Sequence, residues 1–242
     1  MEEIEMADKV AVYSGTRNVY PIMYTSLKSL LLNNDMDRVY LMIEDDEFPY
    51  PIPDNVQLVN VSEQEFFNPG SANFSSPYSY MDLLRCALAT IFTNEKIMLW
   101  LDIDTIIDDD ITDLFSMNMD GYFYAGAVEP NKSRGVFNYI NTGVTLCNLE
   151  HLRNWQKEVE MIAFLNCYQL PFPGQDVMNI LCQGRIRQLG SEYNGNPFVT
   201  PCVTPKIIHY AAIKSAEYTK HWAYKKYEQM ELHLTESGTD GN

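Results

Sequence analysis

A doubly wound α/β fold around a mostly parallel sheet is predicted by three observations on this chain of 242 residues. Short apolar runs alternate with segments of helical period along the whole chain. The run Ile97–Leu101 is apolar without a break, as expected for a strand buried on both faces. No internal repeat or low-complexity linker interrupts the alternation. One domain over residues 1–235 and a loose tail of Gly, Ser, Thr and Asp over residues 236–242 are therefore expected.

Each element has a local reason. Residues 9–13 read as the first strand, ending at Ser14-Gly15-Thr16. Residues 20–32 carry apolar side chains at helical spacing, and Pro21 suits a first turn. Residues 38–43 and 56–61 read as the second and third strands. Residues 66–79, rich in Asn, Pro, Ser and Gly, read as loop. A single helix is predicted over residues 80–92, with Leu83, Leu84, Ala87, Leu88 and Ile91 on one side. After the strand Ile97–Leu101, strands are predicted over residues 122–128 and 142–147, and a helix of mixed polarity over 151–165. Another helix begins over residues 176–182, and a late strand covers 206–210.

Composition excludes several classes. Hydrophobic residues are 46%, enough to build a core and too many for global disorder. Lys and Arg number 17 against 33 Asp and Glu, a net charge of −16, which argues against a general nucleic-acid binder. No apolar run approaches the roughly 18 residues of a membrane span, and the acidic start Met1-Glu2-Glu3-Ile4-Glu5 is unlike a signal peptide. A cytoplasmic address is expected. The five cysteines are widely spaced without a Cys-x-x-Cys, so they read as reduced thiols, with Cys86, Cys147 and Cys182 in apolar stretches as small core residues.

The sharpest chemical feature closes the apolar strand, where Leu101 is followed by Asp102-Ile103-Asp104. In open α/β sheets ligands gather at the carboxyl ends of strands. Two carboxylates on one face of an extended chain repel and need a cation, and a hard divalent ion such as Mg²⁺ or Mn²⁺ answers that need. An acidic loop continued by Asp108, Asp109 and Asp110 is the plainer alternative. An EF-hand fails, because the sixth position from Asp102 is Ile107 and the twelfth is Asp113. Leu101-Asp102-Ile103-Asp104-Thr105 also looks like the nucleophile motif of haloacid-dehalogenase phosphatases. Against that, about a hundred residues precede it and no later Gly-Asp-x-x-x-Asp follows.

Asp102-Ile103-Asp104 on its strand resembles the Asp-x-Asp motif of family 8 glycosyltransferases, the group of glycogenin and the lipopolysaccharide galactosyl- and glucosyltransferases. The resemblance runs from about Val10 to Lys214. Arg85 stands seventeen residues before Asp102, as the family's nucleotide-contacting arginine does. Asn141-Thr142-Gly143-Val144 with Asn148-Leu149, then Gln175-Asp176-Val177-Met178-Asn179, then His209-Tyr210 with Lys214, follow in the family's order. A GT-A fold is implied, one Rossmann-like nucleotide-sugar-binding domain, with residues 9–150 mainly binding nucleotide and metal. Residues 151–235 would form the acceptor side and the C-terminal segment.

The resemblance further implies a retaining, Mn²⁺-assisted transfer of glucose or galactose from UDP-glucose or UDP-galactose to a glycan or glycolipid hydroxyl. Mg²⁺ is the alternative ion. Asp102, Asp104 and His209 would hold the metal. Arg85 and Lys214 would meet the donor's charged and hydroxyl groups. Ser14, Gly15, Thr16 and Asn18 would cup uracil and ribose beside Ile103. Asn141 and Thr142 would touch the transferred sugar, and Gln175 would lie beneath the anomeric carbon. Asp176 would bind a donor hydroxyl or cap its helix, and Glu129 would face the acceptor. Gln is a poor nucleophile, which favours front-face attack held by hydrogen bonds.

Two departures stand out. Gly174 occupies a position where the family often carries Asp, and Lys214 is followed by Ser215-Ala216 rather than Pro-Trp. They motivate a second alternative, a sugar-nucleotide-binding module without turnover. His151, His221 and His233 read as surface or packing residues. The segment 217–234 mixes Tyr218, Lys220, Trp222, Tyr224, Lys225, Lys226 and Tyr227, a composition suited either to a packed terminal helix or to peripheral membrane contact.

Overall fold

The computed structural model describes residues 8–75, 79–129, 135–198 and 204–232. The acidic start over residues 1–5, Cys202, His233 and the tail over 236–242 lie outside the described residues.

β1 (Val10–Ser14) leads through a 3₁₀ turn into α1 (Tyr20–Asn33), where Pro21 stands in the first turn as expected. β2 (Arg38–Ile43) and β3 (Val56–Asn60) follow. Next come α2 (Ser79–Leu83), a 3₁₀ turn (Leu84–Cys86), α3 (Leu88–Ile91), β4 (Ile97–Leu101) and β5 (Thr105–Ile107). β6 (Tyr124–Val128) and β7 (Ile140–Asn148) precede α4 (Leu149–Asn154), α5 (Lys157–Cys167) and α6 (Pro173–Leu181). β8 (Ile186–Leu189), β9 (Ile207–His209), α7 (Ser215–Tyr218) and α8 (Trp222–Gln229) complete the described chain.

Seven strands form one sheet in the order β3-β2-β1-β4-β7-β6-β8, while β5 and β9 form a separate pair. β1 is parallel to β2 and β4, β2 to β3, and β6 to β8; only β7 runs against its neighbours β4 and β6. The mostly parallel sheet is as expected. Strand order reverses between β1 and β4, which opens a crevice beyond their carboxyl ends.

Period-two alternation sorts the strand side chains into two layers. Ala11, Tyr13, Leu99 and Leu101 face α1, whose Met23, Leu27 and Leu30 meet them. Val10, Val12, Met98 and Trp100 face the opposite way onto Leu84, Leu88, Met161 and Val177. Each of these aliphatic burials contributes about 1.5–3 kcal/mol. Cys86, Cys147 and Cys182 are buried free thiols, as read from sequence, and Cys167 is exposed.

Two predicted helices break. The segment over residues 80–92 leaves helical geometry at Ala87, with φ −128° and ψ 9°. Leu83, Leu84, Arg85, Cys86 and Leu88 are all buried, so no single apolar face defines one straight helix. α3 then begins without a cap of its own, and Glu158 of α5 supplies one from across the interface. Its carboxylate accepts from Ala89 N at 2.6 Å and from Thr90 N and Oγ1 at 2.8 Å each. The segment over 151–165 divides into α4 and α5 at Gln156, whose φ of 50° is left-handed.

The C-terminal segment packs inward. Tyr218, Ala223, Tyr224 and Tyr227 form a third apolar cluster with Ile106, Ile208 and Tyr210. Lys28 of α1, almost fully buried, donates to Glu228 O at 2.9 Å and Met230 O at 2.8 Å and so satisfies carbonyls at the end of α8. Lys225 and Lys226 are ion-paired with Glu228 and Asp108. Among the described residues no helix is long and apolar enough to cross a membrane.

Candidate functional site

The crevice between β1 and β4 is the mouth of a cavity of about 790 Å³. Of the residues singled out in the sequence, Ser14, Gly15, Thr16, Asn18, Arg85, Asp102, Ile103, Asp104, Glu129, Asn141, Thr142, Gln175 and His209 line it. They come from seven separate stretches of the chain, and the sheet ends bring them together.

The two aspartates do not converge by strand alternation. β4 ends at Leu101, and the chain turns at Ile103-Asp104, where Thr105 N donates to Asp102 O at 3.2 Å. This turn starts β5, which pairs Thr105 with His209 across the antiparallel register to β9. That pairing carries the imidazole to the carboxylates. His209 Nε2 lies 3.3 Å from Asp104 Oδ1 and 3.7 Å from Asp102 Oδ2. One donor atom from each of the three lies within 4.8 Å of the others.

The electrostatics follow. Burial disfavours the His209 imidazolium, but Asp104 and Asp102 outweigh it and raise its pKa above the ordinary value. Burial likewise pushes the Asp104 carboxyl up, and His209 overcomes that to leave it below the usual carboxylate range. His209 Nδ1 is 2.8 Å from Asn194 Oδ1, an acceptor that keeps a proton on Nδ1 and leaves Nε2 as the ring nitrogen that faces the carboxylates.

These residues fit a divalent ion. Two carboxylates and one imidazole make an oxygen-and-nitrogen donor set of the kind a divalent metal takes. Gly143 fits as well: a Cβ there would lie 2.0 Å from His209 Cε1 and 2.8 Å from Asp102 Oδ2. Only a glycine lets β7 pass behind the cluster, and its carbonyl accepts from Asp102 N at 2.7 Å.

Arg85 organises the adjoining wall. It is 3% exposed. Its Nε donates to Asp82 O at 2.9 Å, and its Nη1 to Thr142 O and Oγ1 at 2.7 and 2.8 Å. Its Nη2 reaches Asp102 Oδ1 at 2.9 Å and the Asp82 carboxylate. All five guanidinium N–H groups are thus matched by protein acceptors. Contact with a donor molecule would require one of these bonds to be given up. The guanidinium also lies 4.7 Å from the Trp100 ring, whose Nε1 donates to Asp102 Oδ1 at 2.8 Å.

Thr142 joins this wall to an amide and carboxylate network. Gln175 Oε1 accepts from Thr142 N at 3.1 Å, and its Nε2 lies 3.2 Å from Tyr139 OH and 3.4 Å from Glu129 Oε2. Asn141 Nδ2 donates to Glu129 Oε2 at 2.9 Å, and Asn141 Oδ1 accepts from Gly143 N and Asn194 Nδ2.

Two expected residues stand apart. Asp176 is 3% exposed and is not among the described residues lining the cavity. Its carboxylate accepts from Phe172 N at 2.9 Å and from Tyr139 OH, so it holds the first turn of α6. Lys214 is exposed just ahead of α7, between Ile213 and Ser215, which do line the cavity. The left-handed Ala212, φ 64°, turns the chain between His209 and Lys214. His151 packs on Phe123 and Trp155, and His221 bonds Tyr210 OH.

Sequence reading missed Asp82, Trp100 and Asn194. Trp100 is visible only as the polar-tipped member of an apolar run. Asn194 falls in a turn-forming Asn194-Gly195-Asn196 cluster whose link to His209 is a backbone bridge, His209 N to Gly195 O at 2.9 Å.

A GT-A sheet with an Asp-x-Asp turn at its switch point defines the glycosyltransferase class. The glycosyl transferase family 8 model matches residues 12–226, and the chain belongs to that family. The phosphatase alternative falls with this match. Glycosyltransferase GlyB of Streptococcus pneumoniae serotype 4 is 23% identical over 197 residues, covering 78% of this chain and 48% of that protein. The glycosyltransferase GlyE of Streptococcus pneumoniae TIGR4 superposes with TM-score 0.68 at 19% identity, covering 93% of this chain and 61% of that one. The galactosyltransferase LgtC, solved with donor and acceptor sugar analogues, superposes with TM-score 0.64 at 16% identity, covering 90% and 95% of the two chains. The chain spans about half the length of the curated relatives it matches.

Proposed function

We propose that the protein is a retaining hexosyltransferase that moves glucose or galactose from a UDP-sugar to a hydroxyl of a glycan or glycolipid with Mn²⁺. The observation that carries this reading is the Asp102, Asp104 and His209 cluster on the wall of a cavity large enough for a sugar nucleotide. Membership of family 8 supports the reaction class, and likeness to LgtC supports a hexose donor.

Asp102, Asp104 and His209 would hold the ion. When bound, it supplies charge neutralisation for the departing diphosphate. Ser14, Gly15, Thr16 and Asn18, at the end of β1, would hold the base and ribose. Thr142 and Asn141 would hold the hexose. The Gln175 amide, tied to Thr142 N, is a fixed dipole beneath the reacting carbon rather than a nucleophile, which suits attack from the same face as departure. Glu129, bonded to Asn141 and 3.4 Å from Gln175 Nε2, would face the acceptor. Lys214 would add a cation at the mouth.

The test is a thermal-stabilisation series with UDP, UDP-glucose and UDP-galactose, with and without Mn²⁺, followed by turnover assays. A ligand at 100 times its dissociation constant should stabilise by about 2.7 kcal/mol. Asp104→Ala should abolish the Mn²⁺-dependent part and the turnover while the protein stays folded. Full activity in that variant would refute the metal role. Binding without turnover in the unaltered protein would assign it to the non-catalytic class.

A further inference from the structure

Asp82 belongs to none of the motifs above, yet its carboxylate lines the same cavity as Asp102, Thr142 and Gln175. Its side chain is 21% exposed, against 4% for the Arg85 side chain beside it. Arg85 fixes it doubly, by Nη2 to the carboxylate and by Nε to the Asp82 backbone carbonyl. Asp82 also abuts the first turn of α6. A Cβ on Gly174 would lie 3.0 Å from Asp82 Oδ2 and 3.1 Å from Arg85 Cδ. The absence of a side chain at Gly174 therefore leaves the Asp82 carboxylate room next to Gln175.

We propose that Asp82 is a donor-specificity residue whose carboxylate accepts hydrogen bonds from hydroxyls of the transferred hexose; this rests on the UDP-hexose reading above. An ionised carboxylate offers only acceptors, about four lone-pair sites. Arg85 occupies one side of it, and the cavity faces another. A phosphate would be repelled there, because both groups are anionic. A sugar hydroxyl is the donor-bearing part of a nucleotide sugar that suits this position, and O–H···O⁻ bonds are among the stronger kind. The placement agrees with the rest of the site. The metal cluster marks the diphosphate end, and Asp82 stands next to Gln175, where the hexose would lie.

The deciding experiment is calorimetry with Mn²⁺ on the unaltered protein and Asp82→Asn. The probes are UDP, UDP-glucose, UDP-galactose and their singly deoxygenated hexose analogues. Hydrogen bonds to a charged group are worth about 1.5–3 kcal/mol, which is roughly 10- to 100-fold in affinity. The variant should bind UDP within about twofold of the unaltered protein and lose roughly that factor for the UDP-hexose. On the unaltered protein, at least one deoxy analogue should show the same loss, and that loss should vanish in Asp82→Asn. Equal penalties for every deoxy analogue in both proteins would overturn the assignment, as would a parallel loss of UDP and UDP-hexose affinity. The deoxy series on the unaltered protein keeps the test decisive if the variant folds poorly, because no deoxy penalty at all also overturns it. Absence of binding by UDP and by both UDP-hexoses in the unaltered protein overturns the UDP-hexose reading together with this one.

Discussion

Gly143→Ala is the most direct test of the geometry around the proposed metal ligands. The new Cβ would stand 2.0 Å from His209 Cε1, 2.6 Å from His209 Nε2 and 2.8 Å from Asp102 Oδ2. Real contacts of that kind are not tolerated, so something must move. The His209 ring has little freedom, since its backbone is paired with Thr105 and its Nδ1 is tied to Asn194. Asp102 is held by Arg85 and Trp100. The added methyl should therefore push the imidazole out of line with the carboxylates. Overpacking of this kind costs about 1–3 kcal/mol in stability. Displaced ligand orientation costs at least what a lost outer partner does, about 10- to 100-fold in metal affinity. The assay is Mn²⁺ titration by calorimetry, with urea unfolding of the metal-free protein. Gly70→Ala is the control, because nothing lies within 4 Å of a Cβ there, and it should change stability by no more than about 0.5 kcal/mol. Unchanged Mn²⁺ affinity in Gly143→Ala would refute the close approach of β7 to the ligands.

Other consequences can be measured separately. Asn194→Ala removes the partner of His209 Nδ1 and should weaken Mn²⁺ binding by about 10- to 100-fold, beyond a stability loss of about 1–3 kcal/mol from the buried N–H left without its acceptor. Because the carboxylates raise the His209 pKa, Mn²⁺ must displace a proton, so its affinity should rise with pH; a flat profile would exclude His209 as a ligand. Burial pushes the Glu158 carboxyl up to about 7, so the folded protein holds a proton that the unfolded chain releases near 4.5. That contribution is present below the unfolded value and lost as pH rises through about 7, so the advantage of the unaltered protein over Glu158→Gln in urea unfolding should be greater at pH 5 than at pH 8. Lys28→Met leaves the carbonyls of Glu228 and Met230 without their ammonium and should lower stability by about 1–3 kcal/mol, with faster proteolysis of the C-terminal segment.

Local chemistry made much of this protein legible in one dimension. Apolar runs and helical periods located β1 to β4, α1 and the late strand within a residue or two, because burial imposes those periods on the chain directly. The Asp-x-Asp turn stood out because it closes an apolar strand, whereas Arg85, Gln175 and His209 were marked by their resemblance to the family's motifs and not by any local pattern. Breaks and convergence were a different matter. The helix over residues 80–92 broke because Glu158, some seventy residues later, caps its second half. β5 and β8 went unseen, being short, with β5 hidden behind the acidic turn and β8 carrying polar Arg187 and Gln188. Asp176 looked like a site residue by motif, but packing turned it onto Phe172 and Tyr139. Asp82 and Asn194 carry no sequence mark, because their importance lies in what they face. A sequence encodes which side chains a strand or helix must bury. Which polar groups then share one small volume depends on strand order and register, and those are set by the whole packed sheet at once.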